Sequence, residues 1–176
     1  KFQQNIQGAL ANGIQVGVYF YSGASNAREA YDEASYCISL IRDYQITYPV
    51  AFDWELDGDY DSVTEACETF CNVISSYGYQ PMVYSNRNRW YNNFDGEKIA
   101  SKYKVWMAAY FGKFYYDSVR WTYGDDLPNF RYHYDMWQYS SRCYVDGISG
   151  QVDVDIAFFG YANYHVDTKD AVLTVT

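Results

Sequence analysis

The 176-residue sequence predicts a single α/β domain built on a parallel sheet. Segments with helical periodicity alternate along the chain with short, nearly continuous apolar runs, which are typical of strands buried on both faces. Hydrophobic residues make up 49% of the chain and charged residues 20%, a balance that favours a folded core over a disordered chain. This alternation fits either an open doubly wound sheet or a (β/α) barrel.

The elements are predicted from apolar spacing and from the residues that flank each segment. Helices are expected to begin near Phe2, Ser25, Ser62 and Gly96. Ser25 is expected to cap the second helix, and Ser62 forms an S-x-x-E capping box with Glu65. Gly13 and Gly78 are predicted to end the first and third helices. The predicted strands are 14–21, 49–55, 80–85, 105–110, 134–139 and 152–159, and the Tyr-rich segment 112–133 shows no clear period.

Composition and charge exclude several classes of function. The net charge of −9 and the pI near 4.5 make nucleic acid an unfavourable partner. No apolar stretch approaches the roughly 20 residues that a membrane span requires. The four cysteines form no CxxC pair, so we expect buried free thiols, with a bridge from Cys37 to Cys67 or Cys71 as the alternative. No glycine-rich phosphate loop follows any strand, and no metal or cofactor is expected.

Two predicted strands carry paired acids. Asp53 and Glu55 end an apolar strand, and alternation places both side chains on one face with Cα atoms about 6.5 Å apart. Because like charges disfavour each other's ionisation, one pKa of the pair should rise, which suits the acid and partner carboxylate of glycoside hydrolysis. The alternative is a pair of solvated loop acids. Asp153 and Asp155 repeat the pattern, and they either face the same site or bind turn amides at the entrance of the strand.

Aromatic residues and a second acidic segment offer further candidates. The chain contains 22 Tyr, 10 Phe and 5 Trp, which fit either sugar-stacking surfaces or ordinary strand packing. In a barrel, the aromatic strand ends would surround the acids; they are Tyr84, Tyr110, Trp137 and Tyr139. Asp57, Asp59, Asp61 and Glu68 fall at positions 1, 3, 5 and 12 of a calcium loop. Ser62 replaces the glycine at position 6, which makes helix capping the simpler interpretation.

Seven segments in a fixed order carry a resemblance to a known family. They are N-I-Q-G-A (5–9), G-I-Q-V-G-V-Y (13–19), Y-P-V-A-F-D-W-E (48–55), V-Y-S (83–85), V-W-M-A-A-Y (105–110), M-W-Q-Y-S (136–140) and G-I-S-G-Q-V-D (147–153). In this order the sequence resembles the glycoside hydrolase family 25 lysozymes, the muramidases of bacterial and phage cell-wall lysins. The resemblance implies an irregular (β/α) TIM-like barrel that cleaves the β-1,4 bond between N-acetylmuramic acid and N-acetylglucosamine.

The resemblance also implies roles for individual residues. Glu55 looks like the general acid, and Asp53 is its partner, either as nucleophile or by stabilising an oxazolinium formed from the substrate. Asp153 matches the family's acid on the last strand. Positions that line the family's sugar groove are matched by Tyr84, Tyr110, Trp137 and Gln138. The implied partner is the glycan strand of peptidoglycan, and the implied location is secreted, extracellular or in the cell wall. A non-catalytic glycan-binding domain is the alternative.

The sequence departs from the family pattern at its start and at one position of the last strand. The family begins with a strand bearing another active-site Asp, a helix and a second strand, so the barrel is expected to be N-terminally incomplete. Residues 1–160 are expected to form the catalytic domain and 161–176 a tail or linker. We expect strand 14–21 to be covered by segment 171–176, by a second copy or by a preceding segment. Asp155 replaces an Asn that is typical of the family, which adds a negative charge.

Overall fold

The computed structural model describes residues 1–111, 127–159 and 173–175. The chain divides into two compact units, Lys1–Lys104 and Val105–Thr176. Most of the Tyr-rich segment lies outside the described residues. The predicted domain boundary at residue 160 also lies outside them, so the division into domain and tail stays a prediction.

Unit 1 contains a parallel sheet of three strands in chain order, β1-β2-β3. The strands are β1 (Val18–Tyr21), β2 (Val50–Asp53) and β3 (Pro81–Asn86). The helices are α1 (Phe2–Ala11), α2 (Ala27–Ile41), α3 (Tyr60–Ser76), α4 (Arg87–Asn92) and α5 (Gly96–Ala100). Helices α2 and α3 connect successive parallel strands, which confirms the predicted alternation.

An aromatic cluster joins the sheet of unit 1 to α3. Phe20 and Phe52 are in register on β1 and β2, and both contact the ring of Phe70, with centroids 5.9 and 5.2 Å apart. Phe52 and Phe70 are fully buried. Because in-register residues of neighbouring strands share a face, these contacts identify the face of the sheet that α3 covers.

The helix ends differ from the predicted caps. Asn26, and not Ser25, caps α2 by accepting from the Glu29 amide at 3.0 Å. Asp59, three residues before Ser62, caps α3, so the predicted capping box is wrong. In both places a residue with an equal capping preference lies one to three residues from the one predicted. Gly13 and Gly78 have φ values of +73° and +85° after α1 and α3, which confirms their predicted roles.

Unit 2 contains four strands of mixed direction. They are β4 (Lys104–Ala108, which begins at the last residue of unit 1), β5 (Met136–Cys143), β6 (Val152–Ala157) and β7 (Leu173–Val175). Strands β4 and β5 are parallel, whereas β5–β6 and β6–β7 are antiparallel. The parallel pairing predicted from the sequence therefore does not extend to β5 and β6, because the short loop between them contains no crossover helix.

Strand β1 is shorter and more exposed than predicted. It covers four residues, and the side chains of Tyr19 and Tyr21 are 54% and 57% exposed. The prediction of a strand buried on both faces is wrong, because it counted tyrosines as core residues. Segment 173–175 pairs with β6. The rest of the predicted covering segment 171–176 lies outside the described residues, so the covering of β1 stays a prediction.

All four cysteines are buried free thiols, as expected. Burial raises the pKa of Cys37 to about 12. Among the helices of the described ranges, none is both long enough and apolar enough to span a bilayer.

Candidate active site

Strand β2 brings the first acid pair to its carboxyl end. Asp53 is the last residue of β2 and lies in register between Tyr21 of β1 and Tyr84 of β3. Asp53 and Tyr84 are 5% and 7% exposed, whereas Glu55, two residues further on, is partly exposed. Asp53 and Tyr84 therefore lie side by side on one face of the sheet.

Trp54 fixes the orientation of this strand end. Its ring is buried and packs edge-to-face on Phe94, with centroids 5.8 Å apart. Since successive residues of an extended chain point to opposite faces, Trp54 occupies the helix-covered face, where Phe52 also lies. Asp53 and Glu55 consequently project to the opposite face.

Two serines hold the backbone of the Asp53–Glu55 segment. The Ser22 amide, just after β1, donates to the Asp53 carbonyl at 2.7 Å. The Ser85 hydroxyl on β3 donates to the Trp54 carbonyl at 2.8 Å. Both serines are fully buried. No role was predicted for either serine from the sequence. The feature that could have identified them is a small polar residue near the carboxyl end of an apolar strand.

Helix α2 fixes Ser22 in turn. The Ser22 hydroxyl donates to a carboxylate oxygen of Glu33 at 2.5 Å, and the Gly23 amide donates to the other oxygen at 2.9 Å. The Ala24 amide donates back to the Ser22 hydroxyl at 3.1 Å. The turn after β1 is therefore tied both to α2 and to the end of β2.

A polar network lies on one face of the sheet in unit 2. Gln138 of β5 is in register with Asp155 of β6, so the two side chains share a face. The Tyr110 hydroxyl donates to the side-chain carbonyl of Gln138. The Trp106 indole N–H donates to Asp155 Oδ1 at 2.6 Å. Tyr110 is 40% exposed, whereas Gln138 and Asp155 are buried.

Trp137 is placed differently from the other predicted groove residues. It follows directly before Gln138 on β5, so the two side chains point to opposite faces of the strand. The Trp137 ring is fully buried, stacks on Phe111 at 5.5 Å and donates its N–H to the Ala109 carbonyl at 2.9 Å. Trp137 therefore packs on the face of β5 opposite to Gln138, and its place in a sugar groove stays a prediction.

The second acid pair occupies two different environments on β6. Partial burial raises the pKa of Asp153. Asp155 is fully buried, and its Oδ2 has no hydrogen-bond partner within the described residues. Burial holds the pKa of Asp155 well above its ordinary value, with the Asp153 charge adding to the effect and the Trp106 hydrogen bond opposing it. Burial thus favours the neutral acid at a position where the sequence predicts an added negative charge.

Two of the four acids in the segment that resembles a calcium loop, Asp59 and Glu68, have protein partners. Asp59 caps α3 by accepting from the Ser62 amide at 3.0 Å and from the Ser62 hydroxyl at 2.7 Å. Glu68 accepts from Lys98 and Lys102 at 2.7 and 2.5 Å. Within the described residues, no group of three or more His, Cys, Asp or Glu is arranged to hold a metal ion.

Comparison with known proteins identifies related sequences and structures. The family model described as "Glycosyl hydrolases family 25" matches residues 1–148. The chain is 29% identical over 137 residues to the lysozyme of Streptococcus phage Cp-1. That alignment covers 72% of this chain and 37% of the phage protein.

Two solved structures share the fold. The CTP1L endolysin superposes with a TM-score of 0.70 at 25% identity, covering 89% of this chain and 51% of that chain. The modular autolysin LytC from Streptococcus pneumoniae, solved in complex with a synthetic peptidoglycan ligand, gives a TM-score of 0.67 at 28% identity and covers 88% and 36%. The α/β class and the irregular barrel-like fold predicted from the sequence are confirmed by these similarities. This chain spans about a third to a half of the length of these relatives.

Proposed function

Because the chain belongs to the glycosyl hydrolases family 25, we propose that it hydrolyses peptidoglycan at the β-1,4 bond between N-acetylmuramic acid and N-acetylglucosamine. The observation that carries the proposal is the pair Asp53 and Glu55 at the carboxyl end of β2. Catalytic groups of β/α barrels lie at the carboxyl ends of strands. The named relatives, a phage lysozyme and an autolysin with a peptidoglycan ligand, support the same chemistry.

Glu55 acts as the general acid in this proposal. It is the more exposed member of the pair, so its carboxyl can reach a glycosidic oxygen. Asp53 is buried beside Tyr84 and supplies the negative charge that stabilises the developing oxocarbenium ion, as nucleophile or as partner of a substrate-derived oxazolinium. The two roles differ because the two carboxyls differ in their access to solvent.

The remaining proposed residues bind or polarise the substrate. Asp153 is a further acid of the site, and its raised pKa suits a carboxyl that is partly removed from water. Tyr84, Tyr110 and Gln138 contribute to sugar binding. The Tyr110 hydroxyl and the Gln138 amide already form one hydrogen bond, so together they offer a fixed set of polar groups to sugar hydroxyls. Trp137 supports this set from the opposite face of β5 by packing.

The proposed partner is the glycan strand of peptidoglycan, and the proposed place of action is the cell wall, reached by secretion or by phage lysis. No cofactor enters the mechanism. Two carboxyl groups and one water suffice for glycoside hydrolysis.

Glu55→Gln tests the proposal in the protein at its full natural length. The variant keeps the shape of the side chain and removes the proton, so cell-wall hydrolysis should fall by about 10²–10⁴-fold, the contribution of general acid catalysis. Release of reducing ends from purified cell walls is the measurement. Glu65→Gln is the matched control, because Glu65 is exposed on α3, and it should keep wild-type activity.

Two results would contradict the proposal. Near-wild-type hydrolysis by Glu55→Gln would remove Glu55 from the acid role. Binding of wild-type protein to cell walls without release of reducing ends would favour a non-catalytic glycan-binding domain.

A further inference from the structure

The peptide between Trp54 and Glu55 lies just beyond the end of β2. The regular pairing of β2 with β3 ends at Asp53 and Tyr84. The next ladder contact, from the Trp54 amide to the Tyr84 carbonyl, is long at 3.4 Å. The Trp54 carbonyl accepts instead from a side chain, the Ser85 hydroxyl, at 2.8 Å.

Because a peptide unit is planar, the hydrogen bond to the Trp54 carbonyl also restricts the position of Glu55. The Trp54 carbonyl and the Glu55 amide nitrogen belong to one planar unit that also contains both Cα atoms. Fixing the direction of the carbonyl therefore fixes the Cα atom from which the Glu55 side chain extends. The opposite end of the segment is held at the Asp53 carbonyl by the Ser22 amide at 2.7 Å.

The hydrogen bond from the Ser85 hydroxyl to the Trp54 carbonyl lies in a buried environment. Ser85 is fully buried, and the Trp54 ring is anchored on Phe94. Removing the hydroxyl leaves a carbonyl that has lost its partner in a buried place, and the peptide then gains freedom to rotate. A rotation of this peptide displaces Glu55, the residue after Trp54.

We propose that Ser85 is a positioning residue for Glu55, acting through the Trp54 carbonyl. The inference rests on the proposed function, since it assigns the acid role to Glu55. A misplacement of about 1 Å can cost on the order of 10²-fold in rate when a group must meet a reacting atom. Ser85 touches no substrate in this proposal.

Ser85→Ala in the full-length protein is the test. We expect kcat for cell-wall hydrolysis to fall about 10- to 100-fold while KM stays within about twofold, because the acid is displaced and sugar binding is retained. Ser85→Thr keeps the hydroxyl and should restore most of kcat. Ser35→Ala is the matched control: its hydroxyl also donates to a main-chain carbonyl at 2.8 Å, but on the exposed face of α2, and kcat should not change.

A second readout separates positioning of the acid from a general loss of structure. Protonation contributes little when the leaving group is an activated phenol, so the defects of Ser85→Ala and Glu55→Gln should both shrink on an aryl glycoside of the same sugar. An equal defect of Ser85→Ala on both substrates, or a thermal unfolding midpoint far below that of wild type, would overturn the proposal in favour of a structural role.

The two proposals fail in different ways. If Glu55→Gln remains active, the proposed function fails. If Glu55→Gln is inactive while Ser85→Ala has wild-type kcat, the acid assignment stands and the positioning role of Ser85 is wrong.

Discussion

Replacing Asp155 by asparagine is expected to change how the stability of the protein depends on pH. Asp155 is fully buried, accepts the Trp106 indole N–H through Oδ1 and has no partner for Oδ2 within the described residues. Burial holds its pKa well above the ordinary value. An asparagine side chain keeps the acceptor for the indole and the approximate shape, and it removes the titration.

The sign follows from proton linkage. Above the unfolded pKa of about 3.9, the unfolded chain releases a proton that the folded protein retains. The free energy of unfolding of wild type therefore falls as pH rises, until pH reaches the folded pKa of Asp155. For one proton the slope approaches about 1.4 kcal/mol per pH unit, and the Asp155→Asn variant lacks this contribution.

When the free energy of unfolding is plotted against pH, the curves of wild type and Asp155→Asn should therefore diverge above about pH 4. The stability of the variant relative to wild type should increase as pH rises. At acid pH the variant should be less stable than wild type. The neutral Asp155 carboxyl then carries no penalty for burying a charge, whereas the amide introduced by Asp155→Asn buries N–H donors that lack partners, at a cost of about 1–3 kcal/mol. Titratable neighbours of Asp155 are Asp153 on the same strand and Tyr139 on β5. They are present in both proteins, so their contributions largely cancel in the difference.

Urea unfolding followed by circular dichroism between about pH 4 and pH 8 measures this difference. Asp146→Asn, at an exposed position in the loop between β5 and β6, is the control and should run parallel to wild type. Parallel curves for Asp155→Asn and wild type would refute the reasoning, because they would mean that Asp155 is as ionised in the folded protein as in the unfolded chain.

Two further predictions concern unit 1. Asp53→Asn keeps the shape of the side chain and removes the carboxylate proposed to stabilise the oxocarbenium ion, so kcat for release of reducing ends should fall by about 10²-fold or more; near-wild-type kcat would remove Asp53 from that role. Phe70→Ala removes a fully buried ring that contacts Phe20 and Phe52, so the free energy of unfolding should fall by about 3–5 kcal/mol in urea titration, and a loss below about 1 kcal/mol would contradict the packing described for α3.

The sequence predicted the order of helices and strands well because the strands of unit 1 are short apolar runs between amphipathic helices. It missed α4, whose six residues are mostly polar and carry no apolar stripe. The feature that could have predicted α4 is its cap, because Asn86 accepts from the Arg89 amide at 3.0 Å. Helix caps were misplaced by one to three residues, because Ser25 and Asn26, or Asp59 and Ser62, compete for the same position.

The burial of tyrosines was harder to predict than the position of strands. Tyr84 is 7% exposed and Tyr21 is 57% exposed, although both lie in one row across the sheet. A tyrosine has an apolar face and a polar tip, so its sequence context fits either environment. The alternation that placed Asp53 and Glu55 on one face also puts the side chains of Trp137 and Gln138 on opposite faces of β5.

The two acid pairs show why a local motif predicts the placement of a carboxyl but not its charge. Asp53-x-Glu55 and Asp153-x-Asp155 are equivalent as sequence patterns, and alternation puts both members of each pair on one face. Their environments differ because of distant residues. Ser22 and Ser85 fix the backbone of the first pair, and Trp106, which lies 49 positions from Asp155 in sequence, binds the second. A carboxyl that meets a single indole donor in a dry interior is more stable when protonated, whereas one that keeps access to water can exchange its proton with a substrate. The partly exposed Glu55 thus fits proton transfer, and the buried Asp155 fits a structural neutral acid.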